Sequence, residues 1–123
     1  MLAVAAAVFA IAVIVYQGNP TSTDLPVAIQ AVDPQPGSNV LSQTNVSVDL
    51  AVGYTAEIEI NGFPIPETEL FRVEALNQLT FEPGIGKTID GLRPDQNCVT
   101  AIYWLIAQGP EDNQEYTWCF DAS

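Results

Sequence analysis

Apolar and polar residues alternate with a period of two along much of this chain, most regularly from Thr44 to Val52. Val46, Val48 and Leu50 fall on one face there and Asn45, Ser47 and Asp49 on the other. One apolar and one polar face mark an antiparallel strand buried on a single side. The same alternation runs through Ala56, Ile58 and Ile60, with Glu57 and Glu59 between them. Asn61-Gly62 then offers two residues that tolerate positive φ, and Phe63 and Ile65 begin a return, so Thr55 to Pro66 is expected to form a β-hairpin with a two-residue turn.

Other strands are expected at Val27 to Val32, around Leu79 and Phe81, at Asn97 to Ala107 and at Glu115 to Asp121. Asp33-Pro34-Gln35-Pro36-Gly37 is a turn cluster that must leave its sheet, and Pro83-Gly84 and Gly86 stop the strand before them. Ile89 and Leu92 lie in a stretch that crosses from one sheet to the other, and Glu67 to Ala75 fits either an irregular edge or a helical turn. No amphipathic helix is available for parallel crossovers. About seven short strands separated by turn signals therefore predict an all-β antiparallel sandwich.

Cys98 and Cys119, the only two cysteines, sit on the last two expected strands. In an exported chain an even count favours a bridge; in the cytosol the same pair would be two buried thiols. Directly opposed residues of an antiparallel pair have position numbers of constant sum, and a disulfide needs Cα atoms within about 7 Å. If the strands are neighbours, that register opposes Thr100 to Thr117 and closes in a tight turn near Gln108-Gly109. A wide, unbulged loop over residues 108 to 114 would instead carry the cysteines about 17 Å apart. In the bridged register Tyr116, Trp118 and Phe120 share a core face with Val99, Ala101, Tyr103 and Leu105. Trp104, Ile102 and Ile106 then point outward, where either another strand, the Glu67 to Ala75 segment or a partner must cover them.

The alternation is absent from the first sixteen residues. Met1 to Tyr16 reads MLAVAAAVFAIAVIVY, without a charge or a helix breaker. As a helix it would reach about 24 Å, slightly less than a hydrocarbon core, with Tyr16 where an interfacial aromatic belongs. Residues 1–16 are expected to be a transmembrane anchor. A cleaved signal is the rival, though no basic residue precedes the run and QGNPTSTD lacks a small-x-small site. Residues 17–26, with two prolines, form a linker, and residues 27–123 the β domain. The cations Arg72, Lys87 and Arg93 lie far from the segment, so nothing holds the C-terminal part in the cytoplasm. The expectation is an anchored domain outside the cytoplasm; the alternative is a secreted one.

Charge and composition narrow the chemistry. Fifteen acidic residues against three basic ones give a net charge of −12, which argues against nucleic acid. The chain has no histidine, which removes the commonest general base and metal ligand. The acidic pairs Glu57/Glu59 and Glu67/Glu69 could in principle serve glycoside hydrolysis, but the first pair reads as the solvent face of a strand. Pro110 to Glu115 gathers oxygen ligands of the calcium type without the spaced order of a dedicated loop. Asn45-Val46-Ser47 fits the N-glycosylation pattern. No catalytic, cofactor-binding or metal residue is assigned, and no small-molecule substrate.

Three stretches resemble a known pattern. Val46 to Ile65, with Ile60-Asn61-Gly62 and Pro64-Ile65-Pro66, is similar to the middle strands of bacterial immunoglobulin-like domains. Leu92-Arg93-Pro94-Asp95 and Tyr116-Thr117-Trp118-Cys119-Phe120 resemble the last two strands of those domains and of fibronectin type III modules. The resemblance covers roughly residues 27 to 121. It departs from the pattern at Cys98, which stands where fibronectin-type modules carry a corner tyrosine, and in placing both cysteines on sequential strands. Such domains serve as stalks, adhesion modules and accessory parts of membrane-anchored surface proteins. The resemblance thus implies an immunoglobulin-like sandwich acting without catalysis through a protein partner, or else an extracellular ligand- or calcium-binding domain.

Overall fold

The computed structural model describes residues 25–123. It is all-β: two sheets face each other, one ordered β1-β3-β7-β6 and the other β2-β9-β8-β4-β5. The strands are β1 (Ile29–Asp33), β2 (Asn39–Val40), β3 (Val46–Leu50), β4 (Tyr54–Ile60), β5 (Phe63–Pro64), β6 (Leu70–Val73), β7 (Gln78–Phe81), β8 (Asp95–Leu105) and β9 (Gln114–Ala122). All pairings are antiparallel except β2 with β9, which is parallel. The described residues form nine strands where about seven were expected: β5 is the expected return of the hairpin, while β2 is too short to show a period of two and β6 lies in the Glu67 to Ala75 stretch that fitted two readings. Residues 1–16, expected to be a transmembrane helix, lie outside the described residues. Among the described residues no helix is long and apolar enough to cross a membrane.

Inward-facing residues form one core, as the alternation requires. Val46, Val48 and Leu50 from β3 and Leu79 and Phe81 from β7 meet Ala56, Ile58 and Ile60 from β4. Val99, Ala101 and Tyr103 from β8 and Trp118 and Phe120 from β9 complete that second layer. Leu25 packs partly buried against the same core, so the fold takes hold two residues before Val27.

Asn61 and Gly62 have φ of 52° and 86°, as the hairpin turn between β4 and β5 requires. Glu67 to Ala75 resolves into a 3-10 turn at Glu67–Glu69 followed by β6, which pairs with β7. Residues 82–94 cross between the sheets, with Leu92 buried.

Cys98 opposes Cys119 and Thr100 opposes Thr117, and the two sulfurs are bonded across a Cα separation of 4.1 Å. The turn differs from expectation. Residues 106–113 form a wide connection containing a 3-10 turn at Pro110–Asp112, rather than a tight turn at Gln108-Gly109. The register survives because the last opposed pair, Tyr103 with Gln114, keeps the loop centred on the same point. Width moves a register only when the extra residues fall unevenly about that centre.

A buried amide network stands at the base of β8. Asn97 is fully buried, accepts from Asn61 Nδ2 and Arg93 N, and donates to the carbonyls of Arg93 and Asp95. Asn61 Oδ1 in turn accepts from Cys98 N at 2.9 Å. The corner before β8, with Asp95 at a φ of 73°, is therefore fixed by a side-chain amide beside the disulfide.

Candidate functional site

Strand register brings four connections to one end of the sandwich. Ile29 opposes Leu50, Val73 opposes Gln78, Tyr54 opposes Leu105 and Tyr103 opposes Gln114. The chain therefore enters at Leu25 beside the β3–β4 turn (residues 51–53), the β6–β7 turn (residues 74–77) and the β8–β9 loop.

Backbone and amide hydrogen bonds make these turns self-sufficient. Ala51 N donates to Ala28 O, Leu50 N to Asn77 O and Ile106 N to Gly53 O, at 2.8 to 2.9 Å. Asn77, at a φ of 51°, donates from Nδ2 to Ala51 O at 2.7 Å and Tyr54 O at 3.1 Å, stitching two turns together. An aspartate there could accept but not donate, so Tyr54 O would lose its Asn77 partner and Ala51 O would keep only the bond from Tyr54 N.

Aliphatic side chains are left facing outward. Val52 is 92% exposed, Leu76 66% and Ile106 63%, and Val27 beside them is also exposed. Val52, Leu76 and Ile106 line one groove of about 580 Å³, together with Tyr54, Val73 and Arg72. Single exposed aliphatics are ordinary, and Leu41 and Ile85 are exposed at the opposite end, but Val52, Leu76 and Ile106 share one groove.

Arg72 closes the groove's floor. Its Nη2 donates to Ala56 O at 2.9 Å and its Nη1 to Thr55 Oγ1 at 3.3 Å, capping an edge of β4 that no strand covers at those residues. Glu67 accepts from both Nε and Nη2 of Arg72. These hydrogen bonds hold the Glu67 carboxyl below its usual range and raise the guanidinium further. Burial pushes the Tyr103 hydroxyl up, with the neighbouring Tyr54 adding to it.

The other sequence candidates fall apart in space. Glu67 is committed to Arg72, while Glu69 accepts from Thr88 N and Oγ1, so both act as ties between segments. Glu57 and Glu59 alternate outward from β4. In the Pro110 to Glu115 stretch Asn113 donates to Pro110 O, and among the described residues no three His, Cys, Asp or Glu side chains converge on a metal position. Asn45 is exposed just before β3.

Ile102 and Trp104 are half-buried on the outer face of β8, between Glu57 and Thr55 of β4 on one side and Glu115 of β9 on the other. Their expected cover does not form from the Glu67 to Ala75 segment, which belongs to the opposite sheet and reaches this face only where Arg72 meets Thr55.

The sequence matches no protein-family model and no curated protein. Solved structures do match the fold. A crystal structure of PcoC, a methionine-rich copper resistance protein from Escherichia coli, is similar with a TM-score of 0.54 at 10% identity, covering 77% of this chain and 96% of that one. The selenomethionine form of the same copper resistance protein from Escherichia coli gives a TM-score of 0.51 at 11% identity, with 77% and 98% covered. At such identity the likeness is one of β-sandwich fold.

Proposed function

We propose that this chain is a non-catalytic, immunoglobulin-like module anchored to a membrane by residues 1–16, with its β domain outside the cytoplasm, where it serves as a structural or adhesion element through protein contacts. The observation that carries the reading is the Cys98–Cys119 bond on a paired hairpin. A bridge of this kind persists in an oxidising space, and an uncharged apolar segment precedes the domain by only a short tether.

The strand order supports the immunoglobulin-like description. The β1-β3-β7-β6 sheet corresponds to the A-B-E-D order of constant-type domains and β4-β8-β9 to C-F-G, with β2 and β5 as short additions. The fold itself hosts many activities and names none of them.

Copper does not follow from the similarity to PcoC. Soft metal sites are built from thioether, thiolate or imidazole, whereas this chain has one methionine, Met1, no histidine, and both cysteines in the bridge.

The test is fractionation of cells expressing the full chain, with a membrane-impermeant maleimide applied to intact cells before and after reduction. The proposal expects the chain in the carbonate-washed membrane pellet, unlabelled until reduced and then labelled from outside. A soluble chain, or thiols that react without reductant, contradicts it.

A further inference from the structure

We propose that the end of the sandwich carrying Val27, Val52, Leu76 and Ile106 rests on the surface of a zwitterionic phospholipid bilayer, so that the opposite end, with residues 34–45 and 82–94, is raised from the membrane. The inference deepens the anchoring reading and rests on it.

The first observation is where the chain leaves the described domain. Leu25 packs against the core and Ala28 O accepts from Ala51 N, so the described domain begins at this end. Residues 17–24 form the tether between the apolar run and Leu25. Eight residues reach at most about 29 Å of fully extended chain. An anchor in the bilayer thus holds this end within about 29 Å of the headgroups, whereas the opposite end lies about 36 Å further along the eleven residues of β8.

The second observation is what the end presents. Residues 25–28 are Leu-Pro-Val-Ala, residues 51–53 Ala-Val-Gly, and residues 74–77 Glu-Ala-Leu-Asn, so Glu74 is the only charge in the three shortest connections. Glu111 and Asp112 are the only charges in the β8–β9 loop. Exposed aliphatics beside a polar flank are the composition of an interfacial contact. The carboxylates are unbalanced by a free cation, since Arg72 is held by Glu67, and they disfavour anionic headgroups. A zwitterionic surface satisfies both features.

The apolar run itself is a poorer occupant. A groove of about 580 Å³ takes a drug-sized body, while sixteen residues in a helix are about 24 Å long.

The experiment uses the full chain reconstituted in phosphatidylcholine vesicles whose acyl chains carry bromine, with unbrominated vesicles as reference. Single tryptophans are added by Leu76→Trp at this end and, as control, Ile85→Trp, a site 99% exposed at the opposite end. Val52→Trp repeats the measurement should the first variant fold poorly. The added emission of L76W and V52W is expected to fall about twofold in the brominated vesicles, as for side chains about 5–10 Å into the headgroup boundary. That of I85W is expected to stay unchanged. Adding phosphatidylglycerol should weaken the quenching at Leu76. Chain that floats with the vesicles but shows equal emission at both ends overturns this inference alone. Chain that does not float overturns the anchoring reading as well.

Discussion

At one end of the sandwich the β3–β4 and β6–β7 turns are short and closed by their own backbone bonds, and Val52, Leu76 and Ile106 line one groove there. The far end is built otherwise: besides the two-residue Asn61-Gly62 turn it has two long connections, residues 34–45 and 82–94, and it is tied by a buried amide network, the disulfide and the parallel β2–β9 pairing. Gly37 N donates to Cys119 O and Trp118 Nε1 to Pro34 O, both at 2.8 Å, so even the long first connection is clamped onto β9. The difference separates two tasks. Stability is concentrated where crossovers must be disciplined, and the end with self-closing turns is free to present surface that contributes little to holding the fold.

Removing the bridge is expected to have the largest effect. C98S/C119S frees a loop with a sequence separation of 21, which should cost about 3 kcal/mol in denaturant unfolding. Asn97→Leu comes next. It keeps the branched shape but leaves Arg93 N and the Asn61 amide without their buried partner, for a loss of about 2–3 kcal/mol. A loss under about 0.5 kcal/mol in either case would show that the far end does not carry the stability assigned to it.

Arg72→Met is intermediate, because it strips the hydrogen bond from Ala56 O at the uncovered edge of β4, and about 1 kcal/mol is expected. Its difference from the native chain should depend on pH. The Glu67 carboxyl titrates below its ordinary 4.5 when folded, so the pair's contribution is present above pH 4.5 and is lost as pH falls through the lower folded value. Parallel acid titrations followed by circular dichroism should therefore converge in acid. Glu67 is largely exposed, which keeps this part of the effect small.

The smallest effect is expected at the apolar end. Val52→Asp and Leu76→Asp should change unfolding free energy by less than about 0.5 kcal/mol, since both side chains are exposed and no backbone bond depends on them. A larger loss would mean that these residues hold the fold together, and would erase the contrast between the ends.

Much of this architecture was legible in the residues. The alternation in β3 and β4, the Asn61-Gly62 turn and the shared core face of β8 and β9 all follow from a period of two combined with one turn signal. The Cys98–Cys119 register followed from strand geometry. The two-residue length hid β2, since no period can be read from so few positions, and β6 lay in the Glu67 to Ala75 stretch, whose pattern fits an edge strand and a helical turn equally. The β8–β9 loop was misjudged because a sum of position numbers fixes a centre and says nothing about width. Asn77 and Asn97 were invisible for a different reason. Asn77 works through Ala51 and Tyr54, and Asn97 joins the Arg93–Asp95 corner to Asn61, 36 positions away, so no local pattern distinguishes them from surface asparagines. The apolar end was partly hidden as well: Val52, Leu76 and Ile106 are scattered in sequence, and only the register assembles them.

The most direct test of the contrast uses two leucines at opposite ends. Leu76 and Leu41 are similarly exposed, 66% and 72%, so hydroxyl-radical oxidation should modify them at similar rates in a freely solvated domain. With the full chain in phosphatidylcholine vesicles, Leu76 is expected to oxidise several-fold more slowly than Leu41. Equal rates at the two positions would contradict the account.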